Sequence, residues 1–561
     1  MAACGQVFNH VKRRVVLCDL FQTHASLRPW LIGFIVVFAL TNGVLYALLL
    51  PLWEGFDESS HYGYVQEISV RNHIPSPSNS SLSEEIWKSL LLVPVSHVVQ
   101  HTIPELRTFE SYFALTSIER HTLRKQLQDI SPQERSNYPI VRPIYEAHHA
   151  PAAYLLLSIP DKLLSGFPLL VRVRALRIIS ITLSILLMAS GAIALCSHFK
   201  VLSPLREFVL LLTFSSQMFY ATAAHISNDW LAVPLVTWLL VAAIRWYLKP
   251  CFRSAAFFTI TLALGLLTKA YFLAFTPLFL GANLAALWHR RTTPRLVASS
   301  LLLLALVAGP WYVRNVRVNG GLSGTLEEAG GVGVSRVYGA TTSVPWLPSI
   351  GYMARASLWT GNNQFNTFSA RTLNTILFLL AISGCYYVAC LYKRGFSFAD
   401  AIVLNAITLF VLAIAYNTVV TFVATEGASH GASPWYMQGL LVPILTLLAC
   451  GLAAGGYPAR ILASVQVLLW TYVAIATYVV KLVPQYGGYN LARIHLSDLA
   501  TWYLKSAVER NDILSTTALA PPAVLYGLIF VVCGFGVALG VTVCRMLLTG
   551  QMVESTARHE R

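Results

Sequence analysis

Residues 30–50 read WLIGFIVVFALTNGVLYALLL and contain no charged side chain. A helix of about twenty apolar residues is long enough to cross the hydrocarbon layer of a bilayer. The basic residues Lys12, Arg13 and Arg14 precede this stretch, but the stretch lacks a small-residue cleavage site. It is therefore interpreted as a retained membrane helix and not as a signal peptide.

The composition of the whole chain is that of a membrane protein. Of its 561 residues, 56% are hydrophobic and 12% are charged, whereas soluble domains carry about 25% charged residues. The mean hydropathy is +0.60. The net charge of +15 is spread in small clusters beside apolar runs, which favours membrane topology over nucleic-acid binding. The nine cysteines show no metal-ligand spacing, and no disulfide framework is expected.

Apolar runs of spanning length recur along the chain. They predict an all-α polytopic membrane protein with about 12 transmembrane helices, roughly 11–13. The run from Ser254 to Trp288 is too long for one span and is divided at Lys269. The predicted spans lie near residues 30–50, 174–197, 205–224, 227–248, 252–268, 271–288, 296–313, 372–392, 401–424, 435–455, 460–481 and 521–544.

The basic residues between these spans predict the orientation of the chain. With the N-terminus inside, every inward loop is basic, as the positive-inside rule requires. Both termini are then expected to be cytoplasmic. The chain is predicted to lie in the plasma membrane, and any active face is expected to point outward. The inward residues are His198, Lys200, Arg206, Arg245, Lys249, Arg253, Arg290, Arg291, Arg295, Lys393, Arg394, Arg460 and Arg545.

This topology divides the chain into segments. They are a cytoplasmic segment 1–28, a catalytic-type membrane module 29–320, a variable membrane module 321–548 and a cytoplasmic tail 549–561. The first module contains a long outer loop, 51–172, where irregular backbone and catalytic residues are tolerated. The apolar run 150–164 is short and flanked by proline, so it is expected to be a helix lying along the outer surface.

The long outer loop opens with the acidic sequence EGFDESSHY, residues 54–62. A carboxylate at that depth needs a cation, a metal or a proton-transfer role. The functional interpretation is that Asp57 is a general base that takes a proton from an acceptor hydroxyl. Glu58 is the second catalytic candidate, and His61 is expected to bind substrate. The alternative is a solvated loop start in which Asp57 or Ser59 caps the following helix.

Two further outer turns carry single charged residues. Asp229 lies in the turn between the third and fourth predicted spans, where it is either a second acidic site residue or a helix N-cap. Lys269 is a lone cation between two apolar spans, on the side where the positive-inside rule disfavours it. An ammonium there fits a phosphate ligand, with snorkelling to the interface as the alternative.

Two arginines close the seventh predicted span on the same outer side. Arg314 and Arg317 could clamp a phosphodiester or pyrophosphate through paired N–H donors. The alternative is anchoring at the membrane interface together with Trp311 and Tyr312.

The long outer loop ends in YEAHHAPAAY, residues 145–154. Adjacent histidines point to different faces of a helix and make a poor chelate by themselves. His148 and His149 are therefore expected to contact substrate. No metal site is assigned, and a divalent cation is the one cofactor that the sequence leaves open.

At these residues the chain resembles the GT-C glycosyltransferase superfamily, close to the protein O-mannosyltransferases, the lipid A aminoarabinose transferases and a related branch of uncharacterised membrane proteins. The resemblance ends near residue 320. The chain departs from the family pattern at two places: it has His-Ala-Pro in place of His-Pro-Pro, and it has Trp230 where a small residue is common. Its motifs are Asp57-Glu58 with His61, His148-His149-Ala150-Pro151, Asn228-Asp229-Trp230-Leu231-Ala232, Gly265 to Lys269, and Trp311-Tyr312-Val313-Arg314-Asn315.

The resemblance implies a GT-C-like bundle that moves a sugar from a polyprenyl-phosphate donor to a lipid, glycan or protein acceptor on the non-cytoplasmic face. It implies Asp57 as the catalytic base, Asp229 as a second acidic residue, and Lys269 and Arg314 as ligands of the lipid phosphate. Tyr436 is also predicted to bind substrate. It lies in a segment that matches the family loosely and that is expected to vary with substrate. Direct displacement by one base predicts inversion. The implied partners are the lipid-linked donor and membrane lipids, without nucleic acid.

A transporter or lipid flippase without transferase activity is the main alternative. Such proteins usually show repeated halves and ionisable residues near mid-membrane. Here the spans 30–50, 271–288 and 372–392 carry no charge, and ionisable residues gather at one face, which favours an enzyme. A non-catalytic scaffold subunit that keeps the fold is the third interpretation.

Overall fold

The computed structural model describes residues 29–138, 142–324, 332, 334–489 and 496–550. The segments predicted to be cytoplasmic therefore lie almost wholly outside the described residues. As the fold class predicted, the described part of the chain is mainly helical, and its strands are confined to the two-residue parallel pair β1 (Pro94–Val95) and β2 (Arg107–Thr108).

The α-helices are numbered here in chain order. They are α1 (Pro29–Leu49), α2 (Glu58–Arg71), α3 (Glu84–Leu92), α4 (His97–Thr102), α5 (Phe109–Phe113), α6 (Ser117–Gln128), α7 (Ala152–Leu163), α8 (Leu169–His198), α9 (Leu205–Ser215), α10 (Gln217–Ala223), α11 (Asp229–Leu248), α12 (Phe252–Leu266), α13 (Thr276–Trp288), α14 (Pro294–Asn319), α15 (Val334–Ala340), α16 (Trp346–Ala356), α17 (Ala370–Arg394), α18 (Phe398–Ala424), α19 (Leu441–Ala454), α20 (Gly456–Ala476), α21 (Val483–Tyr486), α22 (Leu496–Lys505), α23 (Ala507–Thr517) and α24 (Pro522–Thr549).

Among the described residues, ten helical stretches are long and apolar enough to cross a membrane, which makes the chain an integral multi-pass membrane protein. Each corresponds to a predicted span. They are Pro29–Leu49, Leu169–His198, Asp229–Leu248, Ala270–Trp288, Pro294–Asn319, Ala370–Arg394, Phe398–Ala424, Pro434–Ala454, Gly456–Tyr486 and Pro522–Thr549.

The two remaining predicted spans are shorter in the structure, so the count of twelve is not confirmed. The span near 252–268 is the 15-residue helix α12. The span near 205–224 is divided between α9 and α10 at Ser216, where the backbone is extended. The carbonyl of Phe214, freed by this break, accepts a hydrogen bond of 2.8 Å from the Tyr220 hydroxyl, so the break satisfies its backbone inside the bundle.

The long apolar run that contains Lys269 is divided there, as predicted. After α12 the backbone at Lys269 is extended, and a 3-10 turn, Ala270–Phe275, leads into α13. The close packing of this corner requires Gly265, because a Cβ at that position would collide with the ring of Phe272. The corner fixes the Lys269 side chain at one end of two apolar helices.

The segment between α1 and α8, predicted to be the long outer loop, folds into a small helical layer, α2 to α7, which is called the outer layer. Within it, α2 and α7 pack through Tyr64 and Tyr154, whose rings stack with centroids 4.0 Å apart. Helix α7 corresponds to the predicted surface helix 150–164. With 12 residues it is about 18 Å long, too short to cross a bilayer.

Buried ion pairs attach this outer layer to the membrane helices. Arg172, near the start of α8, pairs with Glu85 of α3 and with Asp161 of α7, and Arg135 also pairs with Asp161. These side chains are at most 6% exposed. Because each charge has a partner, the Coulomb attraction and hydrogen bonds offset the cost of desolvation.

The bundle has a buried interior and an apolar periphery. Helix α11 lies in the interior, since 83% of its 18-residue apolar stretch is buried within the protein, whereas the corresponding share for α14 is 22%. The exposed apolar face of such a peripheral helix fits contact with lipid. The N-terminal end of α11, which carries Asp229, therefore lies deep within the protein.

Candidate functional site

A buried ion pair joins two of the predicted site residues. Asp229 is the first residue of α11, and Lys269 immediately precedes the 3-10 turn 270–275. The Lys269 Nζ lies 2.6 Å from both carboxylate oxygens of Asp229, and both residues are at most 5% exposed. The two charges stabilise each other in a setting where either one alone would be costly.

A cavity of about 320 Å³ lies beside this ion pair. The Lys269 Nζ lies 4.6 Å from the centre of the Tyr436 ring, a distance at which an ammonium is attracted to an aromatic face. The cavity thus has a cationic end and a largely apolar wall. It is lined by His149, Lys269, Ala270, Tyr271, Leu273, Ala274, Leu322, Ser323, Val332, Phe410, Ala413, Ile414, Tyr416, Asn417, Val420 and Tyr436.

Asp57 lies in the turn before α2, with a positive backbone φ of 51°. It occupies the N-cap position, but its side chain makes no capping hydrogen bond. The residue is exposed while its neighbours Phe56 and Glu58 are buried, and protein atoms nevertheless surround its carboxyl group. Burial, with nearby Glu146, raises the pKa of Asp57 to about 7, although Lys269 opposes the rise. Such a group can exchange a proton near neutral pH.

Glu58, the other acidic residue predicted in this turn, is held by Arg177 of α8. The Arg177 Nε donates to Glu58 at 2.7 Å, and Nη2 pairs with the second carboxylate oxygen. Arg177 also donates to the backbone carbonyls of residues 50–51, and the Ile226 N–H donates to Glu58 at 3.0 Å. These contacts fix the turn that carries Asp57, and a catalytic role of Glu58 stays a prediction.

Replacing Glu58 with glutamine is expected to lower the free energy of unfolding by about 3–5 kcal/mol. Both side chains of the Glu58–Arg177 pair are fully buried, and removing one charge of such a pair leaves the other uncompensated. Thermal unfolding of the purified protein measures the effect. The control Glu110→Gln removes the partner of His97 in a largely exposed ion pair and should change stability little. Equal unfolding temperatures for the two variants would contradict this assignment.

His61 is buried between the outer helices. Its Nδ1 lies 2.8 Å from the Tyr154 hydroxyl, and its ring lies nearly parallel to that of His149, with centroids 6.2 Å apart. Burial lowers the pKa of His61 well below its usual value, and neighbouring histidines and Lys269 act in the same direction. His61 is therefore neutral near pH 7.

Glu146, His148 and His149 bring three metal-ligand atoms within 4.8 Å of one another. His148 ends a 3-10 turn whereas His149 is extended, so the two rings do not diverge as they would on one helix, and their centroids are 4.2 Å apart. The His149 Nε2 lies 2.6 Å from a Glu146 oxygen. Burial, with Lys269, lowers the pKa of His149 to about 3. A neutral imidazole is the form that binds a cation.

The two predicted arginine ligands lie outside the wall of the cavity. The Arg314 Nη2 donates to the carbonyl of Pro75 at 3.0 Å, and its guanidinium lies 4.7 Å from the centre of the Trp311 ring. Arg317 is exposed near the end of α14. The contact with Trp311 fits the anchoring alternative, and phosphate binding by either arginine stays a prediction.

Two residues that precede Asp229 were not among the predicted site residues. His225 and Asn228 are at most 1% exposed, and none of their side-chain polar atoms has a hydrogen-bond partner among the described residues. Because buried polar groups are normally bonded, these atoms indicate where water or a polar ligand would bind. The signal in the sequence was the polar start of the Asn228-Asp229 motif, from which only the acid was chosen.

No protein-family model and no curated protein matches the sequence. Among solved structures, the chain is similar to ArnT from Cupriavidus metallidurans bound to undecaprenyl phosphate, with 13% identity and a TM-score of 0.46. The alignment covers 94% of this chain and 78% of ArnT.

The chain is also similar to the oligosaccharyltransferase AglB from Archaeoglobus fulgidus in complex with an inhibitory peptide and a dolichol-phosphate. The identity is 12%, the TM-score is 0.37, and the alignment covers 87% of this chain and 55% of AglB.

Proposed function

We propose that the protein is a GT-C-type integral membrane glycosyltransferase. It transfers a sugar from a polyprenyl-phosphate donor to a lipid, glycan or protein acceptor on the non-cytoplasmic face. The proposal is carried by one juxtaposition: Asp57, a carboxyl group of near-neutral pKa, lies within electrostatic range of Lys269 at the end of an apolar cavity. A base, a cation and an apolar wall are what transfer from a lipid phosphate needs.

The cavity suits the phosphate end of the donor. Its apolar wall can hold the first isoprene units, while the remaining chain lies in the bilayer. The donor phosphate binds the Lys269 ammonium, competing there with Asp229. A leaving phosphate is stabilised most strongly by a fixed cation in a site that excludes water, and Lys269 is only 5% exposed.

Transfer is a displacement at the anomeric carbon of the sugar. The acceptor hydroxyl oxygen bonds to that carbon while Asp57 takes the hydroxyl proton. The bond between the carbon and the phosphate oxygen breaks, and its electron pair remains on the phosphate, where Lys269 stabilises the charge. One displacement inverts the anomeric configuration. The unpartnered His225 and Asn228 supply donors and acceptors for the sugar hydroxyls.

A divalent cation would fit the Glu146, His148 and His149 cluster. One carboxylate and two imidazoles are a donor set that suits a transition-metal ion such as zinc. A bound cation there would supply Lewis acidity beside Asp57. The residues of the chain bind the phosphate and move the proton without it, so this cation is an addition to the proposal and not a condition of it.

The rate of transfer is expected to rise with pH through about 7 and to level off above it. The active form of a general base is the deprotonated one, and the raised pKa of Asp57 means that this form becomes dominant only as the pH exceeds about 7. The measurement is kcat/KM for the donor between pH 5 and 9, which reports the free enzyme. A rate that is flat from pH 5 to 9 would exclude a base with this pKa.

The test of the proposed function is release of polyprenyl phosphate, because that product is common to every sugar. The full chain is purified into lipid nanodiscs and given polyprenyl-phosphate sugars with an extract of host membranes as acceptor. Mass spectrometry is expected to show lipid phosphate released together with a glycosylated acceptor, and NMR of that product is expected to show an inverted anomeric configuration. In sealed proteoliposomes, movement of the donor between leaflets without release would instead support the flippase alternative.

A further inference from the structure

A second cavity, of about 260 Å³, lies apart from the Lys269 cavity. It is formed by α16, the loop 357–369 and the start of α17, and its wall is mainly aromatic and aliphatic. The residues that define it are Tyr352, Arg355, Trp359, Phe365, Phe368 and Leu373.

The charge around this second cavity is positive. No acidic residue occurs between Glu328 and Asp400, a segment that provides the entire lining. Arg355 lies on the wall and is only partly buried. Behind the wall, the Lys481 Nζ donates to the carbonyl of Thr367 at 2.8 Å. An apolar space beside an arginine, in an acid-free segment, suits an amphipathic anion.

The wall of the second cavity is attached to the turn that carries Asp57. The Asn363 amide donates to the carbonyl of Gly55 at 3.0 Å, and the Phe365 ring lies 6.1 Å from that of Phe56. The loop keeps this contact with positive φ at Asn362 and Phe365, 58° and 51°. Non-glycine residues adopt such angles where the surrounding structure imposes them, often at functional sites.

The other side of the same turn contacts the first cavity. The Phe56 ring stacks on Trp435, with centroids 4.1 Å apart, and the next residue, Tyr436, lines the Lys269 cavity. Phe56 therefore touches a wall residue of the second cavity on one side and the neighbour of a wall residue of the first on the other. Asp57 follows Phe56 directly in the chain.

We propose that the second cavity is the acceptor site and that the acceptor is an anionic lipid. Its acyl chain occupies the aromatic wall, Arg355 binds the anionic group, and the headgroup hydroxyl extends past Phe365 toward Asp57. This assignment rests on the proposed function, in which the donor phosphate occupies the Lys269 cavity. The assignment specifies the class of acceptor, which the proposed transfer reaction does not determine.

The first test is photolabelling of the full chain in nanodiscs with phosphatidylglycerol that carries a diazirine in its acyl chain. Phosphatidylcholine with the same diazirine is the probe without net charge. Phosphatidylglycerol is expected to label peptides that contain Tyr352, Trp359 or Leu373, and Arg355→Gln is expected to reduce that labelling by about tenfold, as loss of a hydrogen bond to a charged group would. The matched control is Arg336→Gln, an exposed arginine of α15 that lines neither cavity, and it should label as the parent protein does.

The second test separates the acceptor from the donor. With the anionic lipid fraction of host membranes as acceptor, Arg355→Gln should raise the acceptor KM about tenfold and leave the donor KM and kcat unchanged. Labelling without a change in acceptor KM would mean that this lipid is only a bound membrane component, and it would overturn the assignment. Absence of labelling, or equal labelling by phosphatidylcholine, would also overturn it. Intact labelling in a wild-type protein that releases no polyprenyl phosphate would refute the proposed function itself, and the acceptor role with it.

Discussion

Replacing Asp57 with asparagine is expected to slow sugar transfer by about 10²- to 10⁴-fold, the usual contribution of a positioned general base. Asparagine keeps the shape of the side chain but cannot take a proton from the acceptor hydroxyl. The initial rate of polyprenyl phosphate release in nanodiscs measures the effect. The pH dependence near 7 should disappear from whatever rate remains.

The stability of this variant should be unchanged. The Asp57 side chain makes no capping hydrogen bond, and asparagine tolerates the positive φ of this position well. A matched control is Asp129→Asn, an exposed carboxylate at the end of α6 in the same outer layer, which should leave the rate intact. An Asp57→Asn protein that unfolds normally and transfers at the parent rate would remove Asp57 from the mechanism.

Substitutions in the Lys269–Asp229 pair are expected to have the second large effect, a change in the affinity for polyprenyl phosphate. The change should have opposite signs for the two residues. Lys269→Met removes the cation and is expected to weaken binding of polyprenyl phosphate by about tenfold to a hundredfold. Asp229→Asn leaves the ammonium without its competing carboxylate, so phosphate binding should be retained or strengthened. Native mass spectrometry of protein titrated with polyprenyl phosphate measures both affinities.

Stability separates this binding effect from misfolding. Lys269→Met alone leaves Asp229 buried and unpaired, which costs about 3–5 kcal/mol, whereas the double variant Lys269→Met/Asp229→Asn removes both charges and should recover much of that loss. The double variant should still bind polyprenyl phosphate weakly. Lys125→Met, at an exposed site of α6, is the control for loss of a surface lysine. Parental lipid affinity in the double variant would show that Lys269 does not bind the phosphate.

The membrane architecture could be predicted because it depends on long apolar runs. Ten of the predicted spans have full-length counterparts, and the division at Lys269 follows from the length of the run around it. The break at Ser216 was not predicted. The polar residues Ser215, Ser216 and Gln217 lie there, but the apolar runs on either side together have the length of one span. The backbone at the break is satisfied by the Tyr220 hydroxyl, a contact that hydropathy does not reveal.

The sequence could show which charged residues belong to the candidate site, but not which of them pair with each other. Asp229 and Lys269 were both identified from charge in an unusual place, yet their pairing depends on the packing of α11 against α12. Glu58 was placed with Asp57 because the two are adjacent in sequence. Its side chain turns to Arg177, a basic residue inside a predicted span, and the sequence does not show which way either side chain points.

Local backbone conformation accounts for a further difference. Adjacent histidines diverge on a helix, but the chain leaves its 3-10 turn between His148 and His149, so the rings approach each other. His225 was not selected because a lone buried histidine has no pattern in the sequence. Only the three-dimensional structure shows that its ring nitrogens have no partner among the described residues.

Mass spectrometry of lipids extracted from the purified protein tests most directly whether a lipid-linked sugar occupies the space beside Lys269. The wild-type sample is expected to contain a polyprenyl phosphate carrying a sugar, and this lipid is expected to be depleted from Lys269→Met/Asp229→Asn purified in the same way. Wild-type protein free of any polyprenyl phosphate, or a double variant that retains the lipid in full, would contradict this expectation.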